Sequence, residues 1–268
     1  MSRHKSKEEL EAHKASALSA VDSLLTQYIQ SNNPAINGKA DKLCYWLEDY
    51  MKFLEYEPQF SPTSLRRYKR GEIIKVHLGY NIGSEEGGLH YAVVLDNANS
   101  IYSPVITILP LTSVKPNVDT SNLRPGCIYL GNELFTSLSA KVSSHYKYAN
   151  TELDKIRQSI SLLDTSSPLY TDLLDNLQQR LNDMKEEAEL ISKMKTEIQK
   201  MKVGSIGLLN QITTISKIRI YDPKTNQNIL SGIKLSNEKL DLIDDKIKLL
   251  YTKVTKSELI FIVFAYFI

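Results

Sequence analysis

Apolar positions change their spacing repeatedly along this chain, and each change marks a boundary. Between residues 7 and 57, Leu10, Ala15, Leu18, Val21, Leu24, Leu25 and Tyr28 recur three and four apart, the spacing of one helix face. SNNPAING (31–38) interrupts that run. A second amphipathic stretch follows, carrying Leu43, Trp46, Leu47, Tyr50, Met51 and Leu54. EPQFSPTS (57–64) has the composition of a linker, and RRYKR (66–70) is a basic cluster before the first strand.

From Gly71 the period shortens to two. Ile74, Val76 and Leu78 alternate with Lys75 and His77, which predicts a half-buried strand. Tyr91–Leu95, Val105–Leu109 and Cys127–Leu130 follow as short strands separated by Asn, Ser, Pro and Gly, a pattern that predicts a small antiparallel barrel or a strongly bent sheet.

Helical spacing then returns from about Glu133 to Lys202, with a corner at DTSSP (164–168). Leu174, Leu177, Leu181, Met184, Ala188, Ile191 and Ile198 form a seam. Its expected partner is the preceding helix with Leu153, Ile156, Ile160 and Leu163, which makes an antiparallel coiled-coil hairpin whose seam leaves the barrel core independent of it. Strand character resumes over 204–222. Ser236 reads as the N-cap of a last helix with Leu240, Ile243, Ile247, Leu250 and Tyr251 on one face.

The expected organisation is α+β. A helical region covers 1–64, a barrel covers 65–135 and 203–253, a helical hairpin is inserted over 136–202, and an apolar tail occupies 254–268. The N-terminal helices carry more apolar surface than water tolerates, so they pack on each other, on the barrel or on a second subunit. Docking on the barrel would gate its groove, and extending the core or a dimer interface is the plainer reading.

Composition narrows the function classes. The 268 residues are 42% hydrophobic and 24% charged, with a formal net charge of +2. Any nucleic-acid binding must therefore come from a local patch. Cys44 and Cys127 are the only cysteines, and the five histidines lack metal-ligand spacing, so neither a disulfide framework nor a metal or cofactor is expected. The N-terminus lacks the apolar stretch of a secretion signal, and LIFIVFAYFI (259–268) is shorter than a membrane span. The expectation is a cytoplasmic protein with no membrane association.

One stretch stands out as a candidate site. In GSEEGGLHYAVVLD (83–96) an acidic, glycine-punctuated loop runs into an apolar strand with a histidine at the junction. Glycine permits close approach of another chain or a ligand, and loops at the mouth of a rigid sheet often carry function. Glu85, Glu86 and His90 are candidates on that ground. A solvated acidic hairpin tip with a satisfied core histidine is the plain alternative.

With those residues in view, KRGEIIKVHLG (69–79), NIGSEEGGLHYAVVLDN (81–97), SPVITILPLTS (103–113) and GLLNQITTIS (207–216) resemble, in order, the successive motifs of the MazF/PemK toxins of bacterial toxin–antitoxin systems. The resemblance covers about 69–135 and 203–252. It implies an SH3-like antiparallel barrel with a C-terminal helix, usually a homodimer, with single-stranded RNA crossing the dimer groove and a separate antitoxin protein as partner. It also implies metal-independent cleavage of RNA at short sequences, by attack of a ribose 2′-hydroxyl on the adjacent phosphate.

Site residues follow from the matched motifs. His90 stands where the family places an arginine after the paired glycines, and Thr213 stands where it places a second. An arginine grips phosphate through two prongs, whereas histidine makes single contacts and titrates near neutrality. His90, Thr112 and Glu85 are the implied catalytic residues. Gly87, Gly88, Ser113, Gln211, Thr213 and Arg70 are implied to contact RNA, and Arg66, Arg67 and Lys69 to extend that face. Thr112 also reads as a strand-end hydroxyl that satisfies local backbone. Two other functions stay open: a weakened barrel that binds RNA or a partner protein as a regulator, and a CcdB-like toxin that contacts gyrase.

Overall fold

The computed structural model describes residues 5–163, 166 and 168–253, so the apolar tail 254–268 and part of the DTSSP corner lie outside the described residues. The chain divides into two compact units. One holds the residues up to Gln59 together with Leu78–Gly88, and the other holds Phe60–His77 and the chain from Leu89 onward.

In the first unit, α1 (Lys7–Ile29) and α2 (Pro34–Tyr56) follow the predicted runs. Ser6 starts α1 through a reciprocal cap: its hydroxyl accepts from the Glu9 N–H at 3.2 Å, and the Glu9 carboxylate accepts from the Ser6 N–H at 2.7 Å. Pro34 opens α2, where its missing N–H costs nothing. The Asn37 side chain donates to the Tyr28 and Ile29 carbonyls at 3.1 and 2.8 Å, joining the start of α2 to the open end of α1. Helix α1 buries none of its residues and α2 buries Ala40, so Leu10, Leu18, Tyr45 and Met51 are exposed.

The second unit is built on seven strands: β1 (Ile73–His77), β2 (Leu89–Val94), β3 (Val105–Ser113), β4 (Cys127–Gly131), β5 (Ser205–Leu208), β6 (Thr213–Ser216) and β7 (Ile220–Asp222). They pair antiparallel in the order β4-β5-β3-β2-β1-β7, with β6 also on β3. The class is α+β, as expected. The long strand β3 organises the sheet. Its first half, Val105–Ile108, pairs with β6, and its end, Leu111–Ser113, pairs with β5. Pro110, which has no N–H to give a ladder, sits between the two pairings.

Helices α3 (Glu133–Ser161) and α4 (Tyr170–Lys200) form the inserted hairpin. A hydrogen bond between His145 and Glu187 and an ion pair of Glu152 with Arg180 join them in an antiparallel run. The expected seam is built only in part: Ile156, Leu177 and Ile191 are buried as expected. Leu153, Ile160, Leu174 and Leu181 are 39–51% exposed, while Leu138, Val142, Ile191 and Met194 near the root are buried.

Those root residues belong to one core with Ile73, Val93, Leu109, Leu111, Ile128 and Leu130 of the sheet, and with Leu240 and Ile243 of α5 (Asn237–Tyr251). The sheet core is therefore not independent of the hairpin. Two helices alone cover one stripe of each other, which takes Ile156 and Leu177 out of water, and at the root the sheet adds a second surface.

The two halves of the hairpin should respond differently to truncation. Met194→Ala removes a side chain with 0% exposure and should cost about 2–5 kcal/mol in chemical denaturation. Leu174→Ala, at a position 39% exposed, should cost less than about 1 kcal/mol. Similar losses at both sites would contradict a core that ends at the root.

Candidate functional site

The cleft that brings together His90, Thr112 and Ser113 opens where β2, the end of β3 and the exit of α4 meet. It has a volume of about 240 Å³. From the sheet it is lined by Leu89, His90, Tyr91, Leu111, Thr112, Ser113 and Ser205, and from α3 by Leu134 and Phe135. Lys115, Lys200, Met201, Lys202 and Gly204 complete it. No Asp or Glu is among these lining residues.

Strand register explains why His90 and Thr112 share it. β2 and β3 pair Val94 with Ile108 and Ala92 with Pro110. Extending that register two residues sets His90 opposite Thr112, with both side chains on one face. The imidazole is oriented by backbone: Nδ1 lies 3.2 Å from the Leu111 carbonyl. A carbonyl only accepts, so Nδ1 is the donor in this contact.

Behind the cleft, Glu197 of α4 accepts hydrogen bonds from both Lys75 of β1 and the Tyr91 hydroxyl. Burial by itself would raise the Glu197 carboxyl, but the bonds from Lys75 and Tyr91 outweigh it and hold the group below the ordinary glutamate range. Burial first, and then the bond to Glu197, push the Tyr91 phenol well above its usual value, so it remains a neutral donor. Lys75 also lies over the Tyr91 ring, 5.3 Å from its centroid.

Other sequence candidates are placed elsewhere. Glu85, Gly87 and Gly88 belong to the loop Leu78–Gly88, where Glu85 is exposed. The glycines have a local reason. A Cβ on Gly87 would lie 2.8 Å from the Gly79 carbonyl oxygen, and Gly88 has φ +84°. The loop closes through Leu78 N–H to the Gly88 carbonyl and Gly88 N–H to the Gly79 carbonyl, each at 2.7 Å. Gln211 ends a single 3-10 turn and Thr213 opens β6 opposite Ile108, and neither lines the cleft.

The basic cluster before β1 needs correction. Arg70 donates to the Leu95 carbonyl and to Asp244, tying α5 to the end of β2. Arg66 pairs with Glu72 at 2.8 Å, with both side chains nearly buried. These arginines hold the fold together and are not carried forward as phosphate contacts.

Residues 69–141, which span β1 to β4 and the start of α3, match the model of a family described as PemK-like, MazF-like toxins of type II toxin–antitoxin systems. The chain carries a PemK/MazF-family toxin domain. That match includes His90, Thr112, Ser113 and Lys115, and ends before the second segment of the sequence resemblance at 203–252. No curated protein matches the chain. Among the described residues, no group of three or more His, Cys, Asp or Glu is placed to hold a metal ion, and no helix is long and apolar enough to cross a membrane.

The tie at Glu197 makes stability depend on acid. A carboxyl held low in the folded state stabilises fully above about pH 5, and that contribution is lost as pH falls below the ordinary ~4.3 toward the folded value. The Tm advantage of the wild type over Glu197→Gln should therefore shrink between pH 6 and pH 3. A difference that stays constant over that range would show that the carboxylate charge contributes nothing.

Proposed function

We propose that the His90 cleft is the active site of a toxin-type endoribonuclease that cleaves single-stranded RNA. The observation that carries this reading is the lining itself: one imidazole and one threonine hydroxyl on adjacent strands, with lysines around them and no carboxylate. Such a surface attracts a phosphodiester and offers a proton carrier beside it.

In the step proposed, the His90 imidazole takes the proton of a ribose 2′-hydroxyl, and that oxygen attacks the adjacent phosphorus. The bond from phosphorus to the 5′-oxygen breaks, and the leaving oxygen takes up a proton. The products are a 2′,3′-cyclic phosphate and a 5′-hydroxyl. Thr112 donates to a non-bridging oxygen as its charge grows in the phosphorane. Glu85 is assigned no step. A separate antitoxin protein and a homodimer belong to the same reading, which rests for both on the toxin family of residues 69–141.

Incubating the protein with a long single-stranded RNA in EDTA tests it. Discrete cuts that end in 2′,3′-cyclic phosphate are expected. His90→Ala should abolish cutting while RNA is still retarded on a gel. Thr112→Val, which keeps the shape, should slow cutting about 10²-fold with the melting temperature unchanged. Intact but retarded RNA would mean an RNA-binding regulator instead, and intact RNA with inhibited supercoiling would mean a toxin of the gyrase-contacting kind.

A further inference from the structure

The cleft's three lysines come from outside the strands that carry its histidine and threonine. Lys115 follows β3, Lys200 is the last residue of α4, and Lys202 lies in the exit of the hairpin. All three are exposed, so their ammonium groups are reached from solvent. Met201, between the two hairpin lysines, packs against the core, and its N–H bonds back to Glu197 and Ile198 at 3.2 and 3.1 Å.

The exit is then fixed against the end of β3. Gly204 has φ +91°, and a Cβ there would lie 2.6 Å from Val114 Cγ2. Its carbonyl accepts the Val114 N–H at 3.1 Å, and Ser205 pairs with Ser113. The nearest acid on the helix, Glu197, is already bonded to Lys75 and Tyr91, so its charge is largely answered before Lys200 adds to it.

We infer that the hairpin insertion is part of the nucleic-acid site: Lys200 and Lys202, with Lys115 across the cleft, bind the RNA phosphates that flank the bond presented to His90. This deepens the nuclease reading above and rests on it for the identity of the ligand. Chain economy supports it as well as charge. The end of α4 and its exit, anchored in the core by Met194 and Met201, deliver two cations to the cleft rim, so a distant insertion and the sheet form one binding surface. Lysine suits the task because a flexible point charge follows a single strand without demanding one base geometry.

The test uses the full chain and a twelve-nucleotide RNA of mixed sequence with 2′-O-methyl riboses, which keeps every phosphate but cannot be cut. Anisotropy titrations over a range of salt give the slope of log affinity against log salt. Removing two phosphate contacts from a single strand should make that slope shallower by about 1.4. The double variant Lys200→Gln/Lys202→Gln is expected to show this with an unchanged Tm. Lys200→Arg/Lys202→Arg should keep the wild-type slope, and so should Lys193→Gln/Lys195→Gln, exposed on the same helix but outside the cleft.

An unchanged slope in the Lys200/Lys202 double variant, or an equal change in the Lys193/Lys195 control, overturns the inference. Cleavage of ordinary RNA that depends on His90 alongside an unchanged slope leaves the nuclease standing and removes the lysines. The expected slope change with no cleavage by the wild type keeps the phosphate site and sinks the nuclease.

Discussion

The rest of the sheet-bearing unit depends on burying the hairpin root against the sheet. Leu138, Val142, Ile191 and Met194 have no other apolar partner large enough, because the two helices cover only one stripe of each other. Sheet residues such as Val93, Leu109 and Ile128 supply the missing surface. Once that contact forms, the end of α4 has a fixed place, and Glu197 falls within reach of Lys75 and Tyr91 on two neighbouring strands. A buried carboxylate with two such donors is stabilised, whereas the same group without them would carry an uncompensated charge. Packing thus decides where the helix ends, and the ionic tie decides how it is aligned.

In the proposed nuclease, function is divided along the same line. The sheet contributes groups whose direction is set by backbone: His90 held at the Leu111 carbonyl, and Thr112 opposite it by register. The insertion and the segment after β3 contribute charge on flexible stems. Direction is needed at a reacting bond, where small displacements cost rate. Charge is needed around it, where attraction falls slowly with distance. A histidine in place of a permanently charged arginine leaves the reacting position short of positive charge, and the lysines at the rim lie where that shortage would be met.

Much of this architecture was legible from residue spacing. Alternation in Ile74–Leu78 and the apolar run Tyr91–Leu95 located two central strands, and Ser236 announced the last helix, whose Lys239 N–H it accepts at 3.3 Å. Motif order singled out His90 and Thr112, and both line one cleft. Arg70 and Arg66 were misread as a phosphate face because their partners, Asp244 and Glu72, are visible as partners only in three dimensions. Leu153 and Leu174 were misread as a buried seam because heptad spacing fixes a face of a helix without fixing what meets it.

By itself, then, the sequence determined the local elements and the toxin-family segment, since helix and strand periods and short motifs are encoded by residues close together in the chain. It also determined which chemical groups were available. Only the tertiary structure decided which of them meet. Lys115 and Lys200 are distant in sequence, as are Tyr91 and Glu197, and no periodicity links such pairs. They are brought together by burial of the hairpin root, a contact that exists only after the sheet has formed, because apolar area is removed from water by a surface and not by a sequence.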